Sequence, residues 1–451
     1  MECIVVGGGI TGLAVAHLLR SRGIEPLLLE ESERAGGKIR SDADSGFLCE
    51  SGPTGFADRE GVLTGILTNL GLMRRAVLAA PTYKKRSVTL GGRVVPVPTD
   101  PVRLAYSRLL PMKAKLRVLA DLVLPRGPVV AGGDESVAAF ARRRIGQVAA
   151  NRIFFPLISG IYAGDPDAIS LSAALPFFAD LERNHRSLLL GLARTVSRES
   201  ARPRLHSFPS GMEEIARSLA SDLGARVRFR SRALGISRSG SEFRVRVQFP
   251  DGTEELSARS LVLSLPAHAA VPVVDGFLPG VARHLAAIPY VPVTLVYLGY
   301  DNRAFAAPVD SYGFLVGFGE NSDLLGGVFN STFFPGRAPS GMTLISARMG
   351  GARRPELAHL PDGAIVERAH AEMAHLLGIR DRPVLVKIIR HARALPQYTL
   401  GHKERVAAIE AAELSSPGVV FAGSAFRGAG VVDCVRDALR AAGKVAMHLG
   451  G

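Results

Sequence analysis

Cys3-Ile4-Val5-Val6-Gly7-Gly8-Gly9-Ile10-Thr11-Gly12 opens the chain, and the order of its residues decides the fold. Four apolar residues make a short strand. G-x-G-x-x-G comes next, and then a helical run from Leu13 to Arg20. A second apolar strand, Pro26-Leu27-Leu28-Leu29, ends on Glu30. This is a βαβ start with an acid at its close. Gly7 permits the tight turn, Gly9 lets a pyrophosphate approach the backbone, and Gly12 lets helix pack on sheet. The helix N-terminus offers free N–H groups and a positive dipole end to phosphate. Glu30 is placed to accept hydrogen bonds from a ribose. A glycine-rich turn without a ligand is the competing reading; strand, glycines, helix, second strand and acid together favour a dinucleotide.

The rest of the composition sets bounds. At 451 residues the chain calls for two or three domains. Apolar residues make up 47% and charged residues 21%, as in a globular protein. The net charge of +14 suggests an anionic partner: a membrane surface, nucleic acid or an acidic substrate. The basic residues are scattered, and the densest runs are Lys84-Lys85-Arg86 and Arg142-Arg143-Arg144. Neither is interleaved with aromatics and Trp is absent, which speaks against nucleic acid. Cys3, Cys49 and Cys434 lie far apart, which fits a reducing compartment and no metal. Cys3 reads as a small core residue. The N-terminus runs straight into a strand, so no signal peptide is expected. No spanning helix is expected either, because no run of 18 uncharged apolar residues occurs. A cytoplasmic protein is the expectation.

The residues after Glu30 carry a resemblance. Glu30-Glu31-Ser32-Glu33-Arg34-Ala35-Gly36-Gly37-Lys38 resembles the E-x-S-x-R-x-G-G extension shared by flavin amine oxidases, phytoene desaturases and protoporphyrinogen oxidases. In that group the cofactor is FAD. An acid at the ribose position also disfavours a 2′-phosphate. The resemblance implies that Ile10, Thr11, Glu31, Arg34, Gly36, Gly37 and Lys38 join Gly7, Gly9, Gly12 and Glu30 around the cofactor. Phe47 to Thr54 is similar to the family strand that passes the flavin, which adds Gly52, Pro53 and Thr54.

Phe155-Pro156-Leu157-Ile158-Ser159-Gly160-Ile161-Tyr162-Ala163-Gly164-Asp165-Pro166, with Leu171-Ser172 beyond it, narrows the resemblance to the protoporphyrinogen oxidase family. The small residues Gly160, Ala163 and Gly164 would admit something flat or another helix. The resemblance puts Ala163 and Gly164 beside the substrate ring. Phe421 to Val435 resembles the family's flavin-binding turn, implying roles for Gly423, Ser424, Gly430, Val431 and Val432. A glycine-rich turn there aims a helix N-terminus at a ligand. Two residues depart from the pattern: Ser424 stands where Asn, Asp or Glu is usual, and Ala438 where Gly is common. Val227 and Ala233, on an alternating strand from Arg226 to Ala233, would lie by the adenine.

The expected class is α/β: an FAD-binding Rossmann-like (GR2-type) domain, a mixed-sheet substrate domain and an inserted α-helical domain. The FAD domain is expected from 1–78, 203–268 and 392–451. The substrate domain takes 79–98 and 269–391, and the helical domain 99–202. Within this plan Leu104–Leu124 reads as a basic amphipathic helix suited to an anionic membrane, or as an ordinary helix with a solvated basic face. A helix opens between Ser207 and Leu219. Strands are expected at Val291–Tyr300, Tyr312–Val316, Leu325–Thr332, Met342–Met349 and Val384–Ile389.

The resemblance implies a six-electron oxidation of protoporphyrinogen IX to protoporphyrin IX in haem biosynthesis, with dioxygen as acceptor. The same chemistry on coproporphyrinogen III is the nearest alternative. A flavin amine oxidase and a GDP-dissociation-inhibitor-like binding protein are more distant ones. A homodimer and a peripheral association with the inner face of the cell membrane are further expectations. By position, Arg59 would pair with a substrate propionate. His391 and His402 are proton-acceptor candidates by residue type alone, with a structural role the favoured reading.

Overall fold

The structure is a computed structural model describing residues 1–98, 103, 106–127, 134–198 and 204–450. Two sheets organise it. The first has five parallel strands in the order Val419–Phe421, Ser260–Leu263, Cys3–Val6, Pro26–Leu29 and Val227–Arg228. The first three of these strands are buried throughout. Such continuous apolar runs suit a parallel sheet covered on both faces. Leu13, Val15 and Leu19 of the helix Ile10–Arg20 pack on one face, with Ala438, Ala442 and Val445 of the last helix, Val431–Leu449. Strands from residues 3–29, 227–263 and 419–421 thus share one sheet, the nucleotide lobe of the sequence reading.

The second sheet has seven strands, in the order Leu385–Pro396, Tyr290–Asp301, Met342–Gly350, Leu324–Phe329, Gly313–Leu315, Arg86–Leu90 and Arg93–Pro96. Its two faces belong to two cores. Val296, Leu298, Ile345, Ala347 and Met349 face the helix Asp362–Leu377. Val293, Leu295, Tyr297 and Leu344 face Phe47, Cys49 and Ala163 on the nucleotide side. The period-2 geometry of a strand produces this division. This sheet is the wall that packs against the nucleotide lobe.

Several local expectations change. Arg226–Ala233 is not one strand. Val227–Arg228 ends the nucleotide sheet, and Arg232–Ser239 begins a separate three-stranded sheet. Between them Arg230 has φ +52°, and the chain turns so that Arg230 and Ser231 donate to the carbonyls of Ser32 and Glu30. Val227 and Ala233 therefore sit on different sheets. The helix expected from Ser207 starts at Glu213 and runs to Leu223, because His206–Ser207 pairs with Val77–Leu78 and Gly211 turns at φ +93°. Leu324–Phe329 stops short of Thr332, where Asn330–Phe333 forms a helical turn. The strand expected at Val384–Ile389 runs on to Pro396, so the expected boundary at 391/392 falls inside it.

In the helical insertion, Thr99, Leu104 and Arg202 lie outside the described residues. The described part of Leu104–Leu124 contains the helix Met112–Leu119 and a short 3₁₀ turn, Ala120–Leu122, with Pro111 capping the start. Proline cannot continue a helix through its own position, so one long helix does not form. Met112, Leu116, Leu119 and Val123 are each between 54% and 72% exposed. Among the described residues no helix is long and apolar enough to cross a membrane.

Candidate functional site

The first turn is built as its glycines require. Gly7 has φ +106°, and a Cβ there would lie 2.6 Å from the Ser264 carbonyl oxygen. A Cβ on Gly12 would lie 1.9 Å from the Gly7 oxygen. A Cβ on Gly9 would meet nothing within 4 Å. Gly7 and Gly12 are thus fixed by packing, whereas Gly9 opens on space. Neither Gly9 nor Gly430, the N-caps of the first and last helices, supplies a capping side chain. Two helix N-termini with orphan N–H groups favour an anion.

The other stretches abut this turn. Gly36 donates to the Gly8 carbonyl at 2.8 Å, and a Cβ on Gly37 would lie 3.4 Å from Gly9 Cα. A Cβ on Gly52 would lie 2.6 Å from the Lys38 oxygen. Gly423 turns at φ +132° with Thr11 Oγ1 its nearest neighbour, 3.8 Å from a notional Cβ. Residues 7–12, 36–38, 52 and 423 therefore share one groove.

The side chains have divided tasks. Glu30 accepts from the Gly8 amide at 2.6 Å and from the Ser32 amide and hydroxyl at 2.9 and 2.6 Å. Arg34 donates to the carbonyls of Ala35, Gly37 and Ile39, so its guanidinium shapes the Gly36-Gly37 loop. Glu31 is exposed and pairs with Arg232 at 3.5 Å. The Lys38 ammonium lies 5.5 Å from the Tyr290 ring centroid and donates to the Ala394 carbonyl. Burial holds this amine down to about 8. Ile10 and Thr11 are buried, while Pro53, Thr54, Val431 and Val432 are half-buried.

The C-terminal turn is held by a residue the sequence did not single out. Tyr398 donates its hydroxyl to the Ser424 carbonyl at 2.6 Å and accepts from the Gly428 amide at 2.8 Å. His402 stacks on the Tyr398 ring at 4.2 Å and bonds the Phe426 carbonyl. Burial lowers His402 to about 4, so it is a neutral packing group. His391 bonds the Ser51 carbonyl at 2.7 Å, and burial lowers it too. Asp437 accepts from the Gly423 amide and pairs with Arg427 and Arg440.

Ala163 and Gly164 lie under the wall sheet. Ala163 has φ +49°, and its carbonyl accepts from Ala352 at 2.8 Å. A Cβ on Gly164 would strike Gln397 Oε1 at 2.6 Å, and Gln397 in turn donates to the Tyr162 carbonyl. Arg59 is exposed in the turn before the helix Val62–Asn69. The next residue, Glu60, pairs with Arg436 of the last helix at 2.8 Å. Among the described residues no cluster suits a metal ion.

The profile of flavin containing amine oxidoreductases matches residues 10–446. Coproporphyrinogen III oxidase of Propionibacterium freudenreichii subsp. freudenreichii is 31% identical, with 98% of this chain and 90% of that protein covered. Chloroplastic protoporphyrinogen oxidase of Nicotiana tabacum is 28% identical, over 99% and 85%. A crystal structure from Exiguobacterium sp. 255-15, provisionally named a protoporphyrinogen oxidase, superposes with a TM-score of 0.84 at 26% identity, over 100% and 99%.

Proposed function

The chain belongs to the flavin-containing amine oxidoreductase family, and from this premise we propose that it is a porphyrinogen oxidase. It is an FAD-dependent oxidoreductase. The observation that carries the finer reading is end-to-end similarity to porphyrinogen oxidases. The reaction is a six-electron oxidation in three rounds. Each round takes a hydride from a bridge carbon and a proton from a pyrrole N–H, and dioxygen is the final acceptor, giving hydrogen peroxide. Protoporphyrinogen IX and coproporphyrinogen III are the two substrates to be separated.

The groove suits the cofactor on two counts: the open face at Gly9 and the uncapped N-termini of the first and last helices. FAD supplies the hydride acceptor when bound. Gly7, Gly9, Ile10, Thr11 and Gly12 receive the pyrophosphate, and Glu30 the ribose. Arg34 keeps the Gly36-Gly37 loop in shape, with Glu31 at its edge. Lys38 offers a cation, and Gly52, Pro53 and Thr54 border the groove. Gly423, Ser424, Gly430, Val431 and Val432 form its far end, and Val227 and Ala233 the adenine side. Ala163, Gly164 and the inner face of the wall make an apolar slot for a flat macrocycle.

Arg59 binds a propionate at the rim. Arg59→Ala raises KM severalfold with FAD content unchanged; an unchanged KM removes the assignment. The six stretches of the expected domain plan, a homodimer and a cytoplasmic location peripheral to the inner membrane face complete the proposal.

The test is anaerobic mixing of the purified protein with each porphyrinogen. Bleaching of the flavin, then porphyrin fluorescence after admission of air, is the expected result. A yellow protein bleached by neither porphyrinogen overturns the reading in favour of amine oxidation.

A further inference from the structure

Arg348 of the wall sheet has its side chain on the face that packs against the nucleotide lobe. In the strand Met342–Gly350, Ile345, Ala347 and Met349 pack outward, and Leu344 packs inward beside Ala163, Leu295 and Tyr297. Arg348 has the inward parity. Its register partners are Leu295 on one neighbouring strand and Gly326 on the other. It is half-buried, and its Nη1 donates to the Gly160 carbonyl at 3.1 Å, in the helix Phe155–Tyr162. Its charge also reaches the Tyr297 hydroxyl, which the guanidinium pulls toward lower pKa against a larger effect of burial.

No carboxylate of a described residue pairs with Arg348. Among the described residues, the fully enclosed Arg144 and Arg337 differ in this respect. Arg144 lies against Asp121, and Arg337 is 3.7 Å from Glu50. A guanidinium cannot shed its proton. Keeping one among apolar side chains without an anion is unfavourable, so an anion is the natural occupant beside it.

We propose that Arg348 is a substrate-carboxylate site inside the slot, and that it selects coproporphyrinogen III over protoporphyrinogen IX. The inference rests on the porphyrinogen oxidase reading. Coproporphyrinogen III carries four propionates; protoporphyrinogen IX carries two, with vinyl groups in place of the others. A propionate meets the guanidinium fork with two charge-assisted hydrogen bonds. A vinyl group at the same place leaves the charge uncompensated. One half-buried arginine therefore discriminates between macrocycles of nearly the same shape.

The test measures equilibrium binding of coproporphyrin III and protoporphyrin IX to the FAD-loaded protein, for wild type, Arg348→Met and Arg348→Lys. The wild type is expected to prefer coproporphyrin III. In Arg348→Met that preference falls at least tenfold, with protoporphyrin affinity and FAD content held. Arg348→Lys, which keeps the charge and loses the fork, falls by about threefold, and it decides the matter should the methionine variant not fold. An unchanged preference in folded, yellow variants overturns the inference alone. So does an equal loss for both porphyrins, which is what a mere tether of Gly160 would give. Binding of neither porphyrin to the wild type overturns the porphyrinogen oxidase reading and this inference with it.

Discussion

Gly9 and Gly12 stand three residues apart in one turn, and a methyl group at each does opposite things. Gly12→Ala forces a Cβ to 1.9 Å from a backbone oxygen and is expected to cost ~3 kcal/mol or more. A Cβ on Gly9 meets nothing within 4 Å, and Gly9 has φ −69°, which any residue adopts. The Gly9→Val protein should fold with an unchanged melting temperature when free of cofactor, yet purify colourless. A yellow Gly9→Val protein would mean that the open face at Gly9 is not where FAD lies. Glu50 supplies a second residue-scale prediction. It is buried with its carboxylate on Ser41 and the Met212 amide, and burial pushes it up to about 7 from 4.5. The folded chain keeps this proton where the unfolded chain has lost it, so stability is full below about pH 4.5 and falls as pH rises through 7. Denaturant titrations should show wild type losing up to about 3 kcal/mol against Glu50→Gln across that window; parallel curves would refute it. The glycines were legible because their spacing states a backbone requirement. Arg348 was not, because nothing in Met-Thr-Leu-Ile-Ser-Ala-Arg-Met-Gly says which face of the strand meets the slot.

Elements were legible where one period ran unbroken. The strand Cys3–Val6 and the last helix, Val431–Leu449, fall where the sequence put them, because continuous apolar runs and a clean helical face leave little choice. Arg226–Ala233 misled because alternation of charged and apolar residues persists through a turn. That turn is imposed by backbone hydrogen bonds to Glu30 and Ser32, which lie some two hundred residues away in sequence. The C-terminal turn is a similar case. Its glycines were visible, but its support by Tyr398 comes from the end of a wall strand. Tyr398→Phe leaves the half-buried Gly428 amide without its partner, at a cost of about 1 kcal/mol. Because the turn borders the groove, FAD should also dissociate faster. Flavin release on dilution is the measurement, and an unaltered rate would assign Tyr398 to packing only.

For the whole molecule, the class of fold could be read from the first forty residues, whereas the helical insertion could not be read from its own sequence. Pro111 divides what reads as one basic amphipathic stretch, and the helix after it leaves Met112, Leu116, Leu119 and Val123 facing outward beside Lys113. Exposed apolar side chains with flanking cations suit an anionic lipid surface. The protein should sediment with phosphatidylglycerol vesicles at low salt and be released at high salt, and Leu116→Glu should weaken the binding. Absence of binding at low salt would dismiss the membrane. The order of strands in the nucleotide sheet has a consequence for biosynthesis. Cys3–Val6 finds its neighbour Ser260–Leu263 only once the chain has been made as far as residue 263. That neighbour's other edge stays bare until Val419–Phe421 emerges. Pairings so distant close slowly, and open strand edges invite aggregation meanwhile. A nascent chain interrupted between residues 263 and 419 thus presents an unfinished parallel sheet, and a chaperone that shields such edges would act on this protein until Val419–Phe421 emerges.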